Sequence, residues 1–172
     1  MKTRKLGNSN LEITELILGT WAIGGTMWSD YDEKGAIDAI EAAISNGINM
    51  IDTAPVYGNG HAEELIGKVI KGRRDKILIA TKCGLDIENR MKKDLRPEFI
   101  VHDLEMSLKR LGTDVIDLYQ IHWPVTDVPI QDTMEALMKL KEQGKVRYIG
   151  VCNFSGTELT EAVKYDEVIS FQ

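Results

Sequence analysis

The stretch LGTDVIDLYQI, residues 111–121, decides the fold predicted for this chain. It begins at the end of a run that starts at Pro97 and has apolar residues at helical spacing. Gly112 then supplies the left-handed helix cap that glycine adopts most easily. The almost continuous apolar strand that follows, residues 115–121, is typical of a parallel sheet covered by helices.

The same order of amphipathic helix, glycine and apolar strand recurs along the chain. The glycines are Gly47, Gly72, Gly112 and Gly144. The helices predicted before them span residues 32–45, 62–71, 97–111 and 130–143, and a last one spans 157–164. The predicted strands are residues 48–52, 77–81, 115–121, 146–151 and 169–171, preceded by a buried-type strand at 16–20 and a hairpin of residues 4–6 and 12–14. This alternation predicts an α/β fold with a parallel sheet.

The choice within this class is between a doubly wound sheet and a (β/α)8 TIM barrel. No strand is followed by the Gly-x-Gly-x-x-Gly pattern of the doubly wound dinucleotide folds, so the barrel is favoured. A complete barrel takes about 250 residues, whereas this chain has 172 residues. We therefore expect an incomplete barrel of six strands and five helices in residues 1–172, as part of a longer chain. The alternative is a fragment that completes itself by self-association.

Composition narrows the functional classes. The chain is 43% hydrophobic and 28% charged, which is ordinary for a globular protein, and its net charge of −6 argues against nucleic-acid binding. Its two cysteines form no disulfide framework, and no Cys/His spacing suits a metal. No apolar run is long enough for a membrane span, and no signal peptide is recognisable, so a cytoplasmic location is expected.

Three charged or titratable side chains follow successive strands of the predicted sheet. Asp52, Lys82 and His122 all stand where an apolar strand ends, and Tyr57 lies in the Gly- and Pro-bearing loop after Asp52. The carboxyl ends of barrel strands open on one face, where barrel active sites lie. We therefore expect these four side chains to converge there.

The residue types predict proton chemistry on a carbonyl group. Lys82 would be costly in its apolar strand without a partner, and Asp52 on the neighbouring strand can supply one. The ammonium of Lys82 would stabilise the phenolate of Tyr57 and make the phenol a usable general acid. His122 can hydrogen-bond a substrate oxygen. Because none of these groups is redox-active, the electrons of a reduction must come from a cofactor.

Further residues follow the same strand ends. The amides of Asn153 and Gln172 are placed to hold another amide, such as a nicotinamide carboxamide. Trp28 and Trp123 lie in loops on the active face and are predicted to wall an apolar substrate pocket. The basic stretch of residues 71–76 is expected to be a solvated loop at the opposite end of the barrel.

These motifs together closely resemble the aldo-keto reductases, which are NADPH-dependent carbonyl reductases on a (β/α)8 barrel. The matching segments are Gly19-Thr20, Ile51–Gly60, Ala80-Thr81-Lys82, the run 108–122 and the run 144–154. The resemblance implies that Asp52, Tyr57, Lys82 and His122 are the catalytic tetrad, with Tyr57 as the acid. It also implies a cofactor site, to which we assign Thr20, Trp21, Asp52, Cys152, Asn153 and Gln172.

The resemblance also leaves alternatives open. The family's sites for the cofactor phosphates come largely from βα units that residues 1–172 do not contain, so these residues alone are expected to bind NADPH weakly or not at all and to be inactive. A regulatory NADPH-binding module similar to potassium-channel β subunits is one alternative function. A non-catalytic half-barrel is another.

Overall fold

The computed structural model describes residues 1–25 and 31–172 of the chain. Its strands are short at the start of the chain and longer towards the middle. They are β1 (Thr3–Lys5), β2 (Glu12–Thr14), β3 (Leu18–Gly19), β4 (Met50–Asp52), β5 (Leu78–Cys83), β6 (Leu85–Asp86), β7 (Lys92–Lys93), β8 (Ile116–Ile121), β9 (Val146–Val151) and β10 (Val168–Phe171).

One parallel sheet contains the strands that the sequence predicts for the barrel. Its order, β3-β4-β5-β8-β9-β10, follows the order of the chain, and every neighbouring pair in it is parallel. Neighbouring strands that follow one another in sequence and run in one direction are the topology of a (β/α) barrel. The prediction of an incomplete (β/α)8 barrel of six strands is confirmed for the described residues.

Helices connect these strands and cover the outer face of the sheet. They are α1 (Glu33–Ser45), α2 (His61–Ile70), α3 (Pro97–Leu111), α4 (Ile130–Glu142) and α5 (Gly156–Ala162). Local sequence fixes their ends: the Asp32 carboxylate accepts hydrogen bonds from two backbone N–H groups of α1, and Ser155 with Glu158 forms a capping box on α5. The four predicted closing glycines all have a positive φ, as left-handed caps require.

Two hydrophobic clusters lie on the two faces of the sheet. The larger one lies between the sheet and the helices and includes the fully buried Leu65, Ile79, Ile100 and Ile149. The smaller one fills the concave face and is closed by the β1–β2 hairpin, whose Leu11 and Ile13 pack there with Met50, Ala80, Leu118 and Ile169. Because Thr14 of the hairpin bonds to Asn49 just before β4, the hairpin covers the amino-terminal ends of the strands. The opposite, carboxyl-terminal face stays available for a site.

The first barrel strand differs from its prediction. Residues 16–20 were expected to form a buried strand, but only Leu18–Gly19 are extended, and Leu16 and Ile17 are 61% and 41% exposed. The reason is position, since β3 is an edge of the sheet and pairs only with β4 among the described residues. A barrel with six of its eight strands already implies an unpaired edge at its first strand, so the error was to assign residues 16–20 as buried from their apolar composition.

The basic stretch 71–76 is also more ordered than predicted. A 3-10 turn spans Arg74–Lys76, and the Arg74 guanidinium donates to the buried Asp117 carboxylate at 2.8 Å. Arg147 donates to the other oxygen of Asp117 at 2.7 Å, and the backbone N–H of Ile79 also donates to this carboxylate. The solvated-loop interpretation is therefore wrong for Arg74, which binds the Asp117 carboxylate of β8. The same carboxylate accepts hydrogen bonds from β5 and β9 at their amino-terminal ends.

The pair β6–β7, a short antiparallel hairpin after β5, was not predicted. Its strands contain only two residues each, too few to produce an alternating pattern in the sequence. No helix in residues 1–25 and 31–172 is both long and apolar enough to cross a membrane.

Candidate active site

The four side chains of the predicted tetrad meet at the carboxyl-terminal face of the sheet. Asp52 is the last residue of β4, Lys82 lies near the end of β5, and His122 directly follows β8. Tyr57 lies in the turn between β4 and α2. The strand order β4-β5-β8 brings these positions side by side, as their order in the sequence predicted.

Lys82 is the centre of this group. Its side chain is 1% exposed, and its Nζ donates to both carboxylate oxygens of Asp52 at 3.0 Å and to the carbonyl of Thr53 at 3.0 Å. The same Nζ lies 3.3 Å from the Tyr57 hydroxyl. Burial works against the charge and would lower the pKa of Lys82, but the Asp52 carboxylate and the Tyr57 phenol outweigh it and raise that pKa above the usual lysine value. Lys82 is therefore a protonated, buried ammonium in direct contact with a phenol.

Close backbone contact between Gly24 and Gly58 fixes the loop that contains Tyr57. Gly58 has a φ of +67°, and a Cβ built on it would lie 2.2 Å from the carbonyl oxygen of Gly24. A Cβ on Gly24 would in turn lie 2.5 Å from the carbonyl carbon of Tyr57. The 3-10 turn Ala22–Gly24 after β3 and the Tyr57 loop thus pack backbone against backbone, which leaves no room for a side chain at either position.

His122 stands beside the phenol with an uncharged ring. The Tyr57 and His122 ring centroids are 6.2 Å apart at an interplanar angle of 88°, and the backbone N–H of His122 donates to the carbonyl of Cys83. Burial, helped by the nearby Lys82 charge, lowers the pKa of His122 from 6.5 to about 4. At neutral pH this imidazole is therefore a neutral hydrogen-bonding group.

The amides expected at a nicotinamide site lie next to the tetrad. The Asn153 side-chain N–H donates to the His122 carbonyl at 2.9 Å, which leaves its own carbonyl oxygen able to accept. The Gln172 side chain donates to Asp52 at 3.3 Å and accepts from the Cys152 thiol at 3.5 Å. Burial raises the pKa of Cys152 to about 11, so it is a neutral, weak donor. These three residues form one cluster of polar groups of the kind that binds a carboxamide.

The remaining predicted residues have different surroundings. Thr20 is fully buried, and both its N–H and its hydroxyl donate to the Asp52 carbonyl, at 3.1 and 3.0 Å, so in this structure it positions the end of β4. Trp21 is 57% exposed at the start of the turn Ala22–Gly24. Trp123 is 40% exposed and its ring stacks on His122. The predicted pocket residue Trp28 lies outside the described residues.

The structure adds three polar residues that the sequence reasoning missed. Lys93 of β7 places its ammonium 4.9 Å from the centroid of the Trp123 ring, at the rim of the site. Gln120 of β8 and Ser170 of β10 bond to each other inside the barrel, and Gln120 also donates to Asp52. The sequence did contain a sign of Gln120, since a glutamine stands within the apolar strand 115–121. Because side chains alternate along a strand, Gln120 shares the face of Leu118, which lies inside the barrel. Residues 1–25 and 31–172 contain no group of His, Cys, Asp and Glu side chains that could hold a metal.

Comparison with known proteins identifies the protein family to which this site and fold belong. Residues 15–172 match the model of the Aldo/keto reductase family, and the chain belongs to that family. It is 49% identical over 158 residues to the aldo-keto reductase YhdN of Bacillus subtilis, which covers 90% of this chain and 48% of that protein. It is 38% identical over 185 residues to the NADH-specific methylglyoxal reductase of Escherichia coli, across 98% of this chain and 57% of that protein.

Solved structures give the same result for the fold. A glycerol dehydrogenase from Gluconobacter oxydans superposes with a TM-score of 0.88 at 40% identity, over 99% of this chain and 54% of that one. An aldo/keto reductase from Klebsiella pneumoniae in complex with NADP and acetate superposes with a TM-score of 0.77 at 29% identity, over 97% of this chain and 55% of that one. The chain therefore spans about half the length of the relatives it matches.

The close packing of Gly24 against Gly58 predicts that two alanine variants lose different amounts of unfolding free energy. Gly58→Ala and Gly72→Ala both place alanine at a positive φ, but a Cβ on Gly72 has no atom within 4 Å. We expect Gly72→Ala to cost about 1 kcal/mol of unfolding free energy from backbone strain alone. Gly58→Ala should cost roughly 2 kcal/mol more, because the Tyr57 loop must move. Urea unfolding measures both, and equal losses would contradict the close packing described.

The uncharged state of His122 predicts how stability depends on pH. The unfolded chain takes up a proton on this residue near pH 6.5, whereas the folded state holds it neutral down to about pH 4. Its contribution is therefore complete above pH 6.5 and is lost as the pH falls towards 4. On going from pH 7 to pH 5, the wild type should therefore lose about 1 kcal/mol more unfolding free energy than His122→Asn does. This figure includes a reduction for solvent screening, because the His122 ring is only half-buried.

The matched control for this measurement is the exposed His102. His102→Asn should keep the full wild-type loss of unfolding free energy between the two pH values. If His122→Asn and His102→Asn lose stability equally on acidification, His122 is not held neutral by the fold.

Proposed function

We propose that residues 1–172 form the catalytic part of an enzyme that reduces aldehydes or ketones to alcohols with NADPH. The observation on which this proposal depends is the contact of a buried, charged Lys82 with both Asp52 and the hydroxyl of Tyr57. A phenol held against a fixed ammonium can release a proton because the resulting phenolate is paired at once. Chemistry of this kind is what a carbonyl oxygen needs when its carbon accepts a hydride.

In this mechanism each side chain has a separate role. Tyr57 donates a proton to the carbonyl oxygen, and Lys82 stabilises the phenolate that remains. Asp52 transfers no proton and is a positioning residue, since both of its carboxylate oxygens hold Lys82. The neutral His122 orients the substrate by hydrogen bonding to the same oxygen, and the exposed Trp123 forms one wall of the substrate pocket.

The polar residues beside the tetrad fit the nicotinamide end of the cofactor. A reduced nicotinamide supplies the hydride when bound. The Asn153 carbonyl oxygen and the Gln172 amide match the donor and acceptor of its carboxamide, and the Cys152 thiol donates to Gln172 beside them. We propose Trp21 as a further cofactor contact, from its exposed position at the start of the turn Ala22–Gly24. We propose NADPH as the cofactor, because the Klebsiella pneumoniae aldo/keto reductase was solved in complex with NADP. The Escherichia coli relative is named NADH-specific, so binding experiments should include both cofactors.

Several cations on the side of the tetrad are already engaged by other groups. Lys82 is committed to Asp52, Lys93 lies over Trp123, and Arg96 pairs with Asp94 and Glu98. The net charge of the chain is −6, which disfavours a polyanion further. We therefore propose that residues 1–172 alone bind NADPH weakly and are inactive. Self-association of the open sheet and a cytoplasmic location stay predictions.

A fusion protein separates the chemistry from cofactor binding. The part of the Bacillus subtilis relative that follows its match to this chain is joined after Gln172. We expect the fusion to reduce 4-nitrobenzaldehyde with NADPH. In this fusion Tyr57→Phe should lower kcat at least 100-fold, because removing a general acid typically costs 100-fold to 10,000-fold. Tyr165→Phe, remote from the tetrad on the α5 side, is the matched control and should keep the activity.

The result that would contradict the proposal is also defined. A fusion that folds, binds NADPH and retains its activity after Tyr57→Phe would show that Tyr57 is not the acid. The unfused chain provides a second measurement, since fluorescence titration should give an NADPH dissociation constant at least 100-fold above that of the fusion. Equal affinities would contradict the proposed weak binding.

A further inference from the structure

Inside the barrel, a row of paired residues crosses four neighbouring strands, and it contains three polar side chains and one glycine. The register of β10 is irregular just before its member of the row, Ser170. Lys82 of β5 pairs with Gln120 of β8, Gln120 pairs with Gly150 of β9, and Gly150 pairs with Ser170 of β10. Residues paired in register point to the same face of a parallel sheet. This row therefore starts at the ammonium of the tetrad and runs along the concave face towards β10.

Hydrogen bonds connect Ser170 and Gln120 of this row to Asp52, the carboxylate that binds Lys82, although these residues are far apart in sequence. The Ser170 hydroxyl donates to Gln120 Oε1 at 3.0 Å, and Gln120 Nε2 lies 3.4 Å from Asp52 Oδ1. Gln120 is 3% exposed, so its amide has little access to water. The Asp52 carboxylate only accepts hydrogen bonds, so the N–H end of the Gln120 amide faces it, and the Ser170 hydroxyl then donates to the carbonyl end.

A glycine makes the contact between Gln120 and Ser170 possible. The two residues are on strands that are separated by β9, so their side chains must meet above Gly150. A Cβ built on Gly150 would lie 2.1 Å from Ser170 Oγ and 3.0 Å from Gln120 Cγ. Any other residue at position 150 would separate them. The absence of a side chain here is the second, independent sign that the Ser170–Gln120 bond is a built feature.

We propose that Gln120, anchored by Ser170 across Gly150, is a positioning residue that holds the Asp52 carboxylate in the plane in which it binds Lys82 with both oxygens. The proposal rests on the function proposed above for Asp52 and Lys82. Asp52 is 16% exposed at its side chain, so without a bond from the barrel interior its carboxylate could rotate towards solvent. Gln172 donates to Oδ2 from the exposed side, whereas Gln120 holds Oδ1 from the buried side.

The position of the Lys82 ammonium then depends on the Gln120 side chain, although the groups that bind this ammonium belong to Asp52, Thr53 and Tyr57. A rotated carboxylate would keep only one oxygen on Lys82 Nζ, and the ammonium would open to water more often. Exchange of the Lys82 ammonium hydrogens with solvent reports that opening directly. A residue that served only to fill volume would not change this exchange when replaced by an apolar side chain of similar size.

The test is NMR measurement of ammonium hydrogen exchange at Lys82 in the 172-residue chain near neutral pH. Gln120→Met keeps the approximate volume and removes the amide, and Ser170→Ala removes only the anchor. We expect exchange to accelerate about fivefold in Gln120→Met, as the loss of one hydrogen bond of about 1 kcal/mol implies. A smaller acceleration of the same sign is expected in Ser170→Ala. The exposed Gln143 provides the matched control, since Gln143→Met should leave the rate unchanged.

An unchanged Lys82 exchange rate in folded Gln120→Met would overturn the proposal. If Gln120→Met does not fold, Ser170→Ala decides, and an unchanged rate there overturns it equally. The measurement uses neither cofactor nor carbonyl substrate. If the fusion reduces carbonyls but Gln120→Met leaves the Lys82 exchange rate unchanged, only this positioning role is refuted. If the exchange accelerates but the folded fusion reduces no carbonyl, only the proposed function is refuted.

Discussion

The buried ammonium of Lys82 is the constraint on which the rest of the site depends. A lone charge at the end of an apolar strand would be strongly disfavoured, so the fold must surround it with acceptors. It does so with the two oxygens of Asp52, the carbonyl of Thr53 and the hydroxyl of Tyr57. Because these groups come from β4 and the loop after it, satisfying one charge fixes the relative position of two strands and the loop with the proposed acid. Stability and chemistry therefore depend on the same contacts.

Glycine has a consistent function around this centre: it removes side chains where polar groups or backbones must approach closely. At Gly24 and Gly58 two backbones cross, and the crossing holds the loop of Tyr57. At Gly150 the gap lies inside the barrel and lets Ser170 reach Gln120 across an intervening strand. These glycines differ from Gly47, Gly72, Gly112 and Gly144, which the sequence pattern identified as the residues that end helices. Backbone space is thus as much a part of the site as the side chains are.

Much of this arrangement could be predicted from the sequence, for physical reasons. The glycine-terminated helices and apolar strands repeat at a spacing that only a parallel sheet with helical crossovers satisfies, and the convergence of Asp52, Lys82 and His122 follows from strand order alone. Burial was harder to predict, because the exposure of Leu16 and Ile17 depends on strand neighbours rather than on composition. Gln120 and Ser170 were missed because their bond joins residues 50 positions apart, across a strand. Arg74 was misassigned because the buried Asp117 that binds it lies 43 residues further along the chain, in β8.

In the proposed site, partner groups rather than solvent keep Lys82 charged. The most direct measurement is an NMR titration of the Lys82 side chain, followed at Cε and Nζ alongside the exposed lysines of the same chain. Because the Asp52 carboxylate and the Tyr57 phenol outweigh burial, the pKa of Lys82 should lie above the ordinary lysine value of 10.5. Lys82 should therefore keep its proton after the exposed lysines have lost theirs. A Lys82 that loses its proton before the exposed lysines, as a buried amine without sufficient partners does, would contradict the account.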